Sequence, residues 1–196
     1  MRYSVLIAIV LALTACNRAA EQQPASNQTG SNQPAAAPEA EAGQVKGVDR
    51  SHKGKLAPAV TFNDPDGTAM GIGNFSGKPT LVNLWATWCA PCVKELPTLD
   101  RLSQAHNGDL NVVAISQDDA PHASVVAFLQ ANRITDLDAF QDPKMGLSGA
   151  LGAEVLPTSI LFDANGREVW RYVGDLDWTS PEAAKLLAEG GVQPRS

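Results

Sequence analysis

Thr80-Leu81-Val82-Asn83-Leu84-Trp85 is a run of strand length, apolar except at Thr80 and Asn83, and Cys89 follows four residues after it. A strand of that kind is covered on both faces, as happens when helices lie over a sheet that contains parallel strands. From Cys92 onward Val93, Leu96, Leu99 and Leu102 recur at helical spacing up to Gly108, with Pro97 placed to kink the helix. The chain must therefore leave a buried strand and enter a helix across Trp88-Cys89-Ala90-Pro91-Cys92. That requirement points to an α/β domain before anything else is read.

The flanking sequence fits such a domain. Ala59-Val60-Thr61-Phe62, the turn Asp64-Pro65-Asp66-Gly67 and Thr68-Ala69-Met70 predict a hairpin. Asn111-Val112-Val113-Ala114-Ile115 is a second buried-type strand, and Pro121 opens a helix carrying Val125, Val126, Phe128 and Leu129. Leu156 to Phe162 and Glu168 to Val173 flank Asp163-Ala164-Asn165-Gly166, whose Asn-Gly pair is a hairpin signal. Pro181 to Leu187 closes the chain as a helix. The order predicts an α/β fold, a central mixed β-sheet flanked by helices, with an N-terminal β-hairpin.

Charge excludes one class of function. The chain holds 21 acidic and 15 basic residues, and the basic ones form no run, so no nucleic-acid partner is expected. Its start is an address instead. Arg2, an apolar run from Val5 to Leu13 and Leu13-Thr14-Ala15 before Cys16 read as a secretory signal. The run is too short to span a bilayer, which needs about 20 apolar residues. Leu13-Thr14-Ala15-Cys16 resembles a bacterial lipobox, which implies lipidation of Cys16. Asn17 stands where an aspartate commonly retains such proteins at the inner membrane, so the outer membrane is favoured in a Gram-negative host. From Asn17 to about Val45 there is almost nothing to bury, and the segment reads as a disordered tether with a reach on the order of 30 Å. The expected layout is a signal peptide at 1–15, the lipidated cysteine and tether at 16–47, and one folded domain at 48–196.

Export places the remaining thiols in an oxidising compartment, where disulfides persist. With Cys16 taken by lipid, Cys89 and Cys92 have only each other. A metal clasp is disfavoured, because a structural zinc site needs four ligands and His52, His106 and His122 show no matching spacing. A structural staple is poor, because a loop enclosing only Ala90 and Pro91 removes little entropy from the unfolded chain. A redox pair fits better. At the first turn of a helix, free N–H groups and the helix dipole favour the Cys89 thiolate, and Cys92 lies on the same face within disulfide reach. Pro91 suits the first turn because its missing N–H costs nothing there.

Val82 to Cys92 resembles the active-site segment of the thioredoxin-like family, in its exported, membrane-tethered TlpA/ResA-type branch, and the similarity extends from about Ala57 to the end. Pro97 matches the kink proline of the family's active-site helix. Leu156-Pro157-Thr158, followed by a strand and an Asn-Gly hairpin, matches its cis-proline loop. The resemblance implies Cys89 as attacking nucleophile and Cys92 as resolving thiol, with no cofactor beyond their disulfide. It also implies that Pro157 sits against the pair and leaves the backbone of Leu156 free for a substrate strand, while Trp88, Ala90 and Pro91 form the active-site loop. Trp85 is assigned to the core.

The chain departs from thioredoxin at one position that matters for mechanism. Thioredoxin carries a buried aspartate where this sequence has Asn83, and an amide cannot deprotonate the resolving thiol. Members of the branch place a glutamate after the next strand, where this chain has Asp118 and Asp119. Asp119 is the candidate for proton transfer, with Glu154 as a second. Thr158 stands where cytochrome c maturation members carry a glutamate, which counts against a dedicated haem-thiol role. The implied activity is reduction of disulfides in exported proteins, with electrons from a membrane donor of the DsbD/CcdA type. The alternatives are the same chemistry run as an oxidase, which the absence of histidine between the cysteines disfavours, and a Sco-type copper-handling lipoprotein, which spaces its cysteines one residue wider.

Overall fold

In the computed structural model, which describes residues 46–193, one mixed sheet holds β1 (Gly47–Asp49), β2 (Thr61–Asn63), β3 (Ala69–Gly71), β4 (Thr80–Trp85), β5 (Asn111–Ser116), β6 (Phe140–Gln141), β7 (Thr158–Phe162) and β8 (Glu168–Val173). The helices are α1 (Ala90–Ala105), α2 (His122–Ala131), α3 (Gly146–Leu151) and α4 (Pro181–Ala188). The signal segment, Cys16 and the tether up to residue 45 lie outside the described residues. Among the described residues no helix is long and apolar enough to cross a membrane.

The sheet runs β1-β8-β7-β4-β5-β6-β2-β3. β4 is parallel to β5 and antiparallel to β7, and every one of its residues is buried. Both faces are covered because the strand's side chains alternate between two apolar clusters. Leu81 and Trp85 join Leu96, Leu99 and Leu102 of α1 together with Val125 and Leu129 of α2 and Leu186 of α4. Val82 and Leu84 join Phe62, Phe140, Leu147 of α3 and Ile160 on the other face. Each fully buried leucine contributes roughly 1.5–3 kcal/mol, so α1 is held mainly by its Leu96-Leu99-Leu102 stripe.

The hairpin of β2 and β3 turns at Asp64–Gly67, where the Asp64 carboxylate accepts the amides of Asp66 and Thr68 and Gly67 takes a positive φ of 81°. The second hairpin, β7 to β8, turns at Asn165-Gly166, with Gly166 at φ 71°. Helix α1 begins two residues before Cys92, capped by Cys89, and it continues through Pro97, which forgoes its backbone bond to Val93. Pro121 is the N-cap of α2, and Ser180 caps α4 through the Ala183 amide. Three short elements have no sequence signal: β1, β6 and α3. β1 begins at Gly47, the last residue of the expected 16–47 tether segment, and pairs with the edge of β8.

Candidate active site

Cys89 ends the loop that leaves β4, and as N-cap of α1 its sulfur accepts the Cys92 amide at 3.4 Å. The N-terminus of a helix presents unpaired N–H groups and a positive dipole end, so negative charge on this sulfur is stabilised where it would develop. The two cysteines are joined by a disulfide, S–S 2.04 Å, with Cα atoms 5.3 Å apart. One turn of helix brings them to that separation, so the bond opens and closes with little backbone movement. Their burial differs. Cys89 retains 6% exposure and Cys92 none.

The rim is built by three segments. Trp88 is 70% exposed beside Cys89, and Ala90 and Pro91 are exposed on its other side. The antiparallel pairing of β7 with β4 sets Thr158 opposite Leu84, which carries Leu156 and Pro157 to the same end of the sheet as Cys89. The Leu156–Pro157 bond is cis. Leu156 packs, half-buried, against the cluster that contains both cysteines, and its own amide and carbonyl have no hydrogen-bond partner among the described residues. Thr158 turns its hydroxyl back to the Val155 carbonyl at 2.7 Å.

Behind the pair lies a carboxyl that the sequence motifs do not mark. Glu95, one helical turn after Cys92, is 2% exposed. Its Oε1 accepts Asn83 Nδ2 at 2.7 Å and its Oε2 accepts the Leu176 amide at 3.0 Å. Asn83 Nδ2 also donates to Ser159 Oγ at 2.9 Å, so one amide ties the central strand, the active-site helix and the strand after the cis-proline. Burial pushes the Glu95 carboxyl up to about 7, against the pull of its N–H donors; nearby Asp175 adds to the rise. The indole of Trp178 also faces this carboxyl, outside ordinary hydrogen-bond geometry. Asn83 cannot take a proton itself, but it holds an acid that titrates near neutrality.

The acids flagged from sequence have other surroundings. Asp119 and Glu154 are exposed, with no hydrogen bond or ion pair among the described residues. Asp118 is buried and fully engaged, accepting Thr87 N at 2.9 Å, Thr87 Oγ1 at 2.6 Å and Ser116 Oγ at 2.7 Å. One pattern in the sequence does point to Glu95. It falls inside the buried stripe Cys92, Leu96, Leu99, where a charged residue requires a reason.

A two-cysteine disulfide at the N-cap of a helix that follows a central buried strand, with a cis-proline loop at the same end of the sheet, defines a thioredoxin-like fold with a redox-active pair. The chain belongs to the Redoxin family, whose model matches residues 52–187. It is 30% identical over 123 residues to the thiol-disulfide oxidoreductase ResA of Bacillus anthracis, covering 62% of this chain and 70% of that protein. It is 34% identical over 140 residues to the thiol:disulfide interchange protein DsbE of Pseudomonas fluorescens biotype C, covering 69% of this chain and 76% of that protein. A solved structure of a candidate DsbE from Chlorobium tepidum superposes with a TM-score of 0.62 at 23% identity, over 70% of this chain and 96% of that one, and shares the fold.

Proposed function

We propose that the protein is an exported thiol:disulfide oxidoreductase that reduces disulfides of other exported proteins through a Cys89–Cys92 dithiol/disulfide cycle. The observation that carries this reading is the pair itself: a disulfide at a helix N-cap whose outer sulfur is reachable and whose inner sulfur is sealed, with a neutral-range acid one turn behind. In the reduced protein the Cys89 thiolate attacks a substrate disulfide, breaking that bond and expelling one substrate thiolate. The Cys92 thiol then loses its proton and attacks Cys89 Sγ. The mixed disulfide breaks, the second substrate thiolate leaves, and two electrons have passed to the substrate. Glu95 is the group placed to accept the Cys92 proton, a role its pKa of about 7 suits. Leu156, with its free backbone groups, and exposed Trp88 offer a main-chain ladder and an apolar contact to an extended substrate segment.

The cycle needs electrons returned to the pair. A membrane dithiol donor of the DsbD/CcdA type supplies them, since the chain has no dinucleotide motif of its own. No cofactor beyond the disulfide takes part. A lipid on Cys16 and the tether would hold the domain on the periplasmic side of a membrane, the outer one in a Gram-negative host. The test is the reduction potential of the pair together with turnover of a disulfide substrate by the reduced protein. A potential well below that of the glutathione couple fits a reductase, whereas one near about −120 mV, that of the strong oxidant DsbA, would overturn it.

A further inference from the structure

Asp118 stands two residues past the end of β5 and one before exposed Asp119, yet it is 4% exposed and every contact of its carboxylate is a donor. Oδ2 accepts Thr87 N and Ser116 Oγ, and Oδ1 accepts Thr87 Oγ1. A carboxylate accepts from all three without supplying a proton of its own. The main chain around Asp118 is fixed as well. Its carbonyl accepts Gln141 Nε2 at 2.9 Å, and the Gln117 amide donates to Trp85 O at 2.8 Å. The loop Ala86–Trp88, which hands the chain from β4 to Cys89, is therefore clamped on a buried carboxylate at Thr87, two residues before the nucleophile.

We propose that Asp118 is a positioning residue for the Ala86–Trp88 loop and that its buried negative charge opposes the Cys89 thiolate, holding the pair on the reducing side. The inference rests on the reading of Cys89 as nucleophile. Its physical basis is that a like charge in a poorly solvated site disfavours a second anion, counteracting the helix dipole that favours it. Destabilising the thiolate destabilises the reduced protein relative to the disulfide, and a pair that gives up its electrons readily is a reductant. The other ionisable groups on the segments that carry or flank the pair are Glu95 and Lys94 on α1, Asp175 after β8 with its partner Lys46, Asp119, and Glu154 before the cis-proline. Unlike them, Asp118 is bonded to the loop that leads to Cys89.

The test uses the full chain, with the pH dependence of Cys89 alkylation read by peptide mass and the exchange equilibrium with glutathione at pH 8. In that equilibrium the oxidised pair plus two glutathione thiols gives the reduced pair plus one glutathione disulfide. D118N is expected to lower the Cys89 thiol pKa and to shift the equilibrium at least threefold toward reduced protein, about 14 mV when tenfold is about 30 mV. S116A keeps the acid and strips one donor from it, leaving its charge less screened, so it is expected to raise the thiol pKa. D118N with both quantities unchanged, or S116A with a fall like that expected of D118N, overturns the assignment. If D118N does not fold, the direction of the S116A shift decides alone. Wild-type protein that does not equilibrate with glutathione at all would instead defeat the reading of the pair as redox-active.

Discussion

Replacing Glu95 with glutamine should remove most of the pH dependence of the oxidised protein's stability between pH 5 and 8. The Glu95 carboxyl stands at about 7 in the folded state against an ordinary value of 4.5, mainly because burial penalises the charge. Between those values the folded protein binds a proton that the unfolded chain has released, so stability falls as pH rises through the window. Below about pH 4.5 the group costs nothing. Above about pH 7 it costs about 3 kcal/mol, from 1.36 kcal/mol for each unit of the difference. In E95Q the new side chain could accept only one of the two donors at this site, and its own NH2 would face the other, a loss of about 1–2 kcal/mol at every pH. The wild-type and E95Q curves should therefore cross, wild type being the more stable at pH 5 and the variant at pH 8. Urea or thermal unfolding of both oxidised proteins at half-unit steps reads this directly, the wild-type fall being roughly 6–12 °C in Tm for a domain of this size. A difference curve that stays flat from pH 5 to 8 would refute the assignment of a buried, neutral-range acid to Glu95.

Three further substitutions separate stability from function. Asp100 is buried and accepts the amides of Thr135, Asp136 and Leu137 at 3.0, 2.7 and 3.2 Å, so D100A should cost roughly 2–4 kcal/mol, seen as a lower urea midpoint at unchanged m-value. A methyl group at Gly190 would run into the fully buried side chain of Leu161, and G190A should cost roughly 1–3 kcal/mol by thermal unfolding. Trp88 is exposed, so W88A should change stability by no more than about 0.5 kcal/mol. It should slow reduction of a protein disulfide by about fivefold, the worth of one aromatic contact, while leaving a small-molecule disulfide almost unaffected.

The long elements were legible because their patterns are redundant. β4 is marked by its apolar run, α1 by the spacing of Leu96, Leu99 and Leu102, and the β7–β8 hairpin by Asn165-Gly166, and each stands where its pattern puts it. β1, β6 and α3 were not legible, since three residues of Gly-Val-Asp or two of Phe-Gln are too short for a period and are fixed by pairing with β8 or β5. In the site, the cysteines, Trp88 and the proline loop carry local signatures. The polar groups do not. A search for an acid after β5 leads to Asp118 and Asp119, yet one is tied into a loop clamp and the other faces solvent, while Glu95 comes from the helix that carries the cysteines. Asn83 departs from the thioredoxin pattern, and only the fold shows that it orients an acid in place of being one.

The central claim is that Cys89 attacks and Cys92 resolves. The most direct measurement offers C92S and C89S, reduced and in separate reactions, a peptide carrying an intramolecular disulfide, and reads adducts by peptide mass. With the inner partner sealed at zero exposure and the outer sulfur at the helix N-cap, C92S should accumulate a mixed disulfide on Cys89 and C89S should form none at Cys92 at a comparable rate. An adduct on Cys92 forming as fast as the one on Cys89, or no adduct on Cys89 while it remains open to alkylation, would contradict the account.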